Sequence, residues 1–151
     1  METNERGNAV LAIGEELTVT DGATGAVAFA VAVEGVSPDV TCTDPASPAA
    51  ENGHLIAVRV RVTTGTDLSA VGGDPVVRAA DFQILGPDGV PLPAAGTPSA
   101  ESCLPDAEAF PSGPVTAGQE LTGTVVLDVP ATTGTVVFAP DFLTVGAEWA
   151  Y

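Results

Sequence analysis

Residues 26–33 read AVAFAVAV, and larger apolar side chains alternate strictly with alanines along this stretch. Successive side chains of a β-strand point to opposite faces, so a period of two predicts a strand here. The larger side chains share the face that we expect to pack on a core: Val27, Phe29, Val31 and Val33. We expect the alanine face to meet solvent or to lie beneath a loop.

A second segment with the same period follows at residues 55–62, which read LIAVRVRV. The face expected to point inward carries Ile56, Val58, Val60 and Val62. The opposite face carries Arg59 and Arg61 together with Leu55 and Ala57. Two such segments favour a β-sheet that buries one face against a second layer.

Further short strands are separated by turn-forming residues. We predict strands at Gly14–Thr20, Phe82–Leu85, Val90–Leu92, Gln119–Val129, Gly134–Phe138 and Glu148–Tyr151. Residues 86–89, which read GPDG, are a hairpin turn signal, and no window combines a helical period with capping residues. The pattern is typical of an all-β, immunoglobulin-like β-sandwich of seven or eight antiparallel strands over residues 14–151. Residues 1–13 are predicted to be an N-terminal tail or linker.

The chain is strongly acidic and well supplied with apolar residues. Its 151 residues include 20 acidic and 4 basic side chains, which gives a formal net charge of −16. Such a charge repels polyanions, so nucleic acids and anionic membrane surfaces are excluded as partners. The hydrophobic fraction of 45% argues against a disordered acidic tail.

The two cysteines, Cys42 and Cys103, lie far apart in two loops rich in proline and serine. Metal sites need closer ligand clusters, and no CxxC motif is present. A disulfide between them is the favoured pairing, and two separate buried thiols are the alternative. Closing a loop of this length would stabilise the fold by about 4 kcal/mol in the chain-entropy model. Because disulfides persist outside the cytosol, the pairing favours an exported protein.

No apolar run is long enough to span a bilayer, and the first residues lack the order of a signal peptide. We therefore expect no membrane insertion by this segment. The predicted location is extracellular or on the cell surface, with free secretion and a lipid anchor upstream of this segment both open.

Several segments resemble, in their order and spacing, a known family. They are Gly53–Val60, Asp81–Gly89, Gly113–Pro130, Gly134–Pro140 and Glu148-Trp149. Together they are similar to a telokin-like, immunoprotective-antigen-like domain of unknown function found in actinobacterial and firmicute lipoproteins and secreted proteins. The resemblance covers roughly residues 14 to 151. It implies an immunoglobulin-like sandwich and export, often behind a lipidated cysteine, and it implies no known reaction.

Signals for catalysis are few. His54 is the one histidine, so a Ser-His-Asp triad would have to use it, and no GxSxG motif is present. The acidic residues do not form a DxDxDG calcium loop, although a loose calcium site stays open. We expect no enzyme activity, no cofactor and no metal. The alternative is a secreted hydrolase or a Ca-dependent domain that uses His54 and acidic loop residues.

The favoured hypothesis is a binding domain for an unknown protein or envelope ligand, acting as a monomer. A disulfide would join the loops Val36–Asn52 and Pro93–Pro114, which lowers the entropy cost of presenting a surface there. The possible binding surface comprises Trp149, Tyr151, Asp44 and Glu101. For the two aromatic residues, packing at the core or its rim is favoured, and an exposed contact for a sugar or protein partner is the alternative.

Overall fold

The computed structural model describes residues 2–93 and 96–151. Met1, in the predicted tail, and residues 94 and 95, in the second predicted loop, lie outside the described residues. In the described part, eight strands form two four-stranded sheets, which confirms the predicted all-β fold. The strands are β1 Ala9–Leu11, β2 Glu16–Thr20, β3 Val27–Ser37, β4 His54–Thr64, β5 Phe82–Leu85, β6 Glu120–Val129, β7 Thr135–Phe138 and β8 Ala147–Ala150.

The first sheet has the order β2-β3-β4-β6, with every neighbouring pair antiparallel. Its two central strands contain the alternating segments, and the predicted inward faces are confirmed. The fully buried side chains are Phe29, Val31, Val33, Ile56, Val58, Val60 and Val62, each at 0% exposure. Val27 differs from the prediction, since it is 45% exposed. The register between β2 and β3 shifts beside it, and a β-bulge of this kind interrupts the alternation of faces.

The alanine face of β3 is also buried, with Ala28, Ala30 and Ala32 at 3% exposure or less. Ala32 lies between Glu16 of β2 and Arg61 of β4 in the register. The Arg61 guanidinium lies 3.4 Å from the Glu16 carboxylate, so this ion pair crosses over the small side chain between them. At Ala32, long charged side chains thus cover the alanine face, as their aliphatic stems do on many surfaces.

The second sheet has the order β1-β8-β7-β5. The pairs β8–β7 and β7–β5 are antiparallel, whereas β1 runs parallel to β8, so the prediction of an entirely antiparallel sandwich is wrong at this edge. Gly86 and Gly89 close the predicted turn after β5, and Gly89 adopts a positive φ of 80°. The predicted return strand Val90–Leu92 is reduced to one bridge, between Leu85 and Pro91.

The prediction that residues 1–13 form a tail or linker is wrong for this segment. Ala9 is 1% exposed and its amide donates to the Gly146 carbonyl at 2.9 Å. A strand of three residues is too short to show a period, and its partner β8 lies at the other end of the sequence. The N-terminal segment is therefore an integral part of the second sheet.

The core lies between the two sheets and includes side chains from both ends of the chain. Phe82 and Phe138 stack across the β5–β7 pair with ring centroids 4.8 Å apart. Phe142, in the β7–β8 loop, contacts Phe29 from the opposite sheet edge-on at 5.4 Å. Burial of each large side chain contributes about 1.5–3 kcal/mol, so this layer is the main source of stability.

One short α-helix, α1, spans Pro98–Ser102 in the second long loop, where no helix was predicted. Thr97 caps its N-terminus through its side chain, and Pro98 follows in the first turn, which is a favourable position for proline. One turn of helix is too short to produce a periodic signal in the sequence. No helix in the described residues is long and apolar enough to cross a membrane.

Candidate interaction surface

The two long loops are joined by a disulfide between Cys42 and Cys103, as predicted. Their Cα atoms are 4.5 Å apart, and no free cysteine is found in the described residues. Cys103 is fully buried in a small apolar cluster on the outer face of the first sheet, with Leu55, Ala100 and Val126. The bond therefore fixes the loops against β4 and β6 as well as against each other.

Hydrogen bonds between the loops surround the disulfide. The Thr43 amide donates to the Cys103 carbonyl at 3.0 Å, and the Ser99 hydroxyl donates to the Ala49 carbonyl at 2.7 Å. The hydroxyls of Ser47 and Ser102 are also 3.0 Å apart. These contacts distribute the attachment along both loops, so the disulfide is one of several connections.

A buried carboxylate, Asp128 of β6, holds the ends of both loops. It is 0% exposed and accepts hydrogen bonds from the amides of Glu51 and Asn52 at 2.7 and 2.9 Å and from the Thr97 hydroxyl at 2.7 Å. Asn52 also donates from its side chain to the Asp128 carbonyl. Asp128 therefore connects the first loop, the cap of α1 and the sheet.

Sequence reasoning did not single out Asp128. Its signal is an aspartate inside an apolar strand, between Leu127 and Val129, where aspartate is depleted. A buried carboxylate needs hydrogen-bond partners. The partners of Asp128 are two backbone amides and a hydroxyl remote in sequence, so the sequence alone does not reveal them.

A cavity of about 130 Å³ lies between α1 and β6. It is lined mainly by apolar side chains, including Ala100, Leu104, Phe110 and Val125, with Glu101 at its wall. The cavity gives the loop surface a shallow apolar depression beside an exposed carboxylate.

The predicted residues Asp44 and Glu101 both belong to this surface. Each is exposed and lies two residues from a bonded cysteine, so the disulfide brings their segments together. Asp44 also accepts a hydrogen bond from the Ala46 amide at 2.9 Å, which fixes the local turn. Glu101 lies in the first turn of α1, where a negative charge favours the helix.

Trp149 and Tyr151 are not part of this surface. Trp149 is 0% exposed and its indole Nε1 donates to the Glu15 carbonyl at 3.0 Å, so the prediction of an exposed contact at Trp149 is wrong. Its strand, β8, lies inside the second sheet between β1 and β7, which explains the burial. Tyr151 is half-buried, and burial raises the pKa of its hydroxyl. Both residues instead pack with the core.

His54 lies at the start of β4, with its ring Nδ1 2.6 Å from Asp39 Oδ1. Both side chains are substantially exposed, at 39% and 63%. In the described residues, no serine, threonine or cysteine side chain is hydrogen-bonded to His54. Over the same residues, no three His, Cys, Asp or Glu side chains are grouped closely enough to hold a metal ion.

A second buried carboxylate, Glu148 of β8, fastens the N-terminal segment. Arg6 binds it through two guanidinium nitrogens, and the side-chain amides of Asn4 and Asn8 donate to it at 2.7 and 2.9 Å. Burial alone raises the pKa of Glu148, but the hydrogen bonds and the positive charge of Arg6 outweigh it and lower the pKa to about 2. This site is structural, because its charge is neutralised by protein groups.

The fold is similar to that of MPT63, a secreted protein from Mycobacterium tuberculosis. The TM-score is 0.61 at 19% sequence identity, over 95% of this chain and 98% of MPT63. The fold is also similar to part of the "putative lipoprotein (ycdA)" from Bacillus subtilis, with a TM-score of 0.55 at 15% identity. That match covers 90% of this chain and 38% of the Bacillus protein. No protein-family model and no sequence among curated proteins matches the chain. These likenesses confirm the immunoglobulin-like β-sandwich, and they show the fold alone.

Proposed function

We propose that this chain is an extracellular, non-catalytic binding domain whose contact surface is the disulfide-linked loop pair. The observation that carries the proposal is the Cys42–Cys103 bond between two long loops that carry exposed carboxylates. Loops on a rigid sheet scaffold commonly bear binding residues, because their sequences are free of packing constraints. Fixing them before binding reduces the conformational entropy lost in the complex.

The proposed location outside the cytosol has two supports. A disulfide persists where thiols are not kept reduced. The two structures of similar fold belong to a secreted protein and to one described as a putative lipoprotein. We extend this to release from the cell or attachment by a lipid anchor upstream of the present segment.

The proposed ligand is a protein or another component of the cell envelope, bound by a monomer of this chain. Asp44 and Glu101 place negative charge at the loop surface, and the whole chain carries −16. Polyanions are repelled by this charge, so nucleic acids are excluded from the proposal.

Site-specific photo-crosslinking in the native host tests this proposal. A benzophenone side chain at Asp44 or Glu101 should form covalent adducts with one recurring partner. The matched control is the same probe at Asp88, an exposed aspartate in the turn after β5. Adducts in equal yield from Asp88, or none from the loop positions, would contradict the loop surface.

The alternative, a secreted hydrolase or Ca-dependent domain, is favoured by one observation, the short contact between His54 and Asp39. In that case, His54→Ala should abolish ester or peptide hydrolysis by the purified protein, or calcium should raise the unfolding temperature. An unchanged unfolding temperature in calcium and no hydrolysis above a buffer blank would remove this alternative.

A further inference from the structure

Strand β2 has a free edge. It pairs with β3 on one side, and no backbone hydrogen bond joins residues 16–20 to any other segment of the described chain. The other edge strands are each partly covered by a bridge. These bridges are Thr3–Ala9 at β1, Leu85–Pro91 at β5 and Ala109–Thr124 at β6. An uncovered edge presents unpaired N–H and C=O groups, which are a template for another strand.

An apolar groove of about 230 Å³ runs along this free edge. Its walls come from β2, from the 3₁₀ helix Ser69–Val71 and from residues 142–145 of the β7–β8 loop. The apolar side chains that line it include buried Leu17 and half-buried Val19, Phe142, Leu143 and Val145. A strand added to β2 would direct alternate side chains towards this groove and the others towards solvent.

The negative charges around the β2 edge favour a partner strand that carries positive charge. Glu15 and Glu16 lie at one end of β2, and Asp21 follows its other end. Glu16 is paired with Arg61 at 3.4 Å, which leaves two carboxylates, Glu15 and Asp21, without a cation among the described ion pairs. A second copy of this chain, with its own charge of −16, would be repelled from this edge.

We propose that β2 binds an extended segment of a partner protein in which lysine or arginine alternates with apolar residues. The segment adds as a fifth strand to the first sheet, its apolar side chains enter the groove, and its basic side chains are attracted by the carboxylates at the two ends of β2. Backbone bonds of this type supply affinity, and the pockets for alternate side chains supply specificity. This surface lies at the β2 edge, opposite the β6 edge that carries α1, so it is separate from the loop surface of the proposed function.

A synthetic peptide of alternating lysine and valine is the probe. Its affinity for the intact, oxidised protein is measured by calorimetry and compared with that of the same peptide N-methylated at every second residue. Methylation keeps the charge and removes the donors along one edge, so it should weaken binding by about tenfold or more. A peptide with glutamate in place of lysine should not bind.

The matched protein variants are Thr144→Arg and Thr133→Arg. Both threonines are exposed, and only Thr144 lines the groove. The two variants have the same net charge, so Thr144→Arg should weaken binding by about tenfold while Thr133→Arg changes it by less than about twofold. Circular dichroism checks that both variants fold.

Three results would overturn the proposal. They are equal binding of the methylated and unmethylated peptides, equal effects of the two arginine variants, and a dimer in sedimentation that Thr144→Arg abolishes. The last result would show that a second copy occupies the edge. None of these measurements involves residues 38–53, which belong to the loop surface. Failure of the β2 proposal would therefore not contradict the loop surface, which the crosslinking experiment tests separately.

Discussion

The buried carboxylate Glu148 should make stability depend on pH in a way that one substitution removes. Its pKa is about 2 in the folded protein and 4.5 in an unfolded chain. A lowered folded-state pKa adds stability above pH 4.5, and this stability is lost as the pH falls towards 2. The difference between the two values corresponds to about 3 kcal/mol at neutral pH, of which about 2 kcal/mol should be gone at pH 3.

Comparison of the wild type with Glu148→Gln isolates this contribution from the other carboxylates. Urea unfolding, followed by circular dichroism from pH 7 to pH 2, gives the free energy of unfolding of each protein. We expect Glu148→Gln to be less stable by about 2–3 kcal/mol at pH 7, since it loses its charge-assisted bonds to Arg6. The two proteins should converge in stability as the pH approaches 2.

The control is Glu108→Gln, which removes an exposed carboxylate and should change stability by less than about 0.5 kcal/mol at every pH. A gap between wild type and Glu148→Gln that stays constant from pH 7 to pH 2 would refute the assignment of the lowered pKa. So would a gap as small as that of the control.

Three further substitutions test the loops and the close contacts of the sheet. Asp128→Ala leaves two amides and a hydroxyl without their acceptor and should cost about 2–4 kcal/mol in urea unfolding, and a cost below about 0.5 kcal/mol would contradict its anchoring role. Replacing Cys42 and Cys103 together by serine should lower the free energy of unfolding by about 4 kcal/mol, whereas equal stability would show that the cross-link is dispensable. Gly123→Ala places a methyl group 2.3 Å from the Phe110 Cα and should cost at least about 2 kcal/mol. The control Gly22→Ala meets nothing within 4 Å and should be close to neutral. Equal melting temperatures of the two variants would contradict this prediction.

The sequence predicted the strands that show a clear period. In β3, larger apolar side chains alternate with alanines. In β4, buried branched side chains alternate with a face that carries Arg59 and Arg61. In both strands the sequence pattern therefore agrees with the observed burial. The burial predicted for Val27 was wrong, because a β-bulge changes the register there. Bulges leave little trace in composition. The period also could not reveal β1 or α1, since each is too short to repeat.

The candidate surface was predicted in part. The Cys42–Cys103 bond could be predicted from the number of cysteines and their loop context. Asp44 and Glu101 could be predicted because each lies two residues from one of these cysteines. Trp149 was included as a possible exposed contact, but it is fully buried and its strand lies inside the second sheet. Asp128 was missed because its partners are distant backbone groups, which a single sequence does not reveal.

Amide hydrogen exchange tests most directly whether the disulfide and Asp128 hold the two loops as one fixed surface. In the oxidised protein, the amides of Thr43, Glu51 and Asn52 should all exchange slowly, because each is bonded across segments. Replacing both cysteines by serine should accelerate Thr43 at least about tenfold and affect the two amides bound by Asp128 less. Exchange of all three at the rate of an unstructured peptide, with the disulfide intact, would contradict the account.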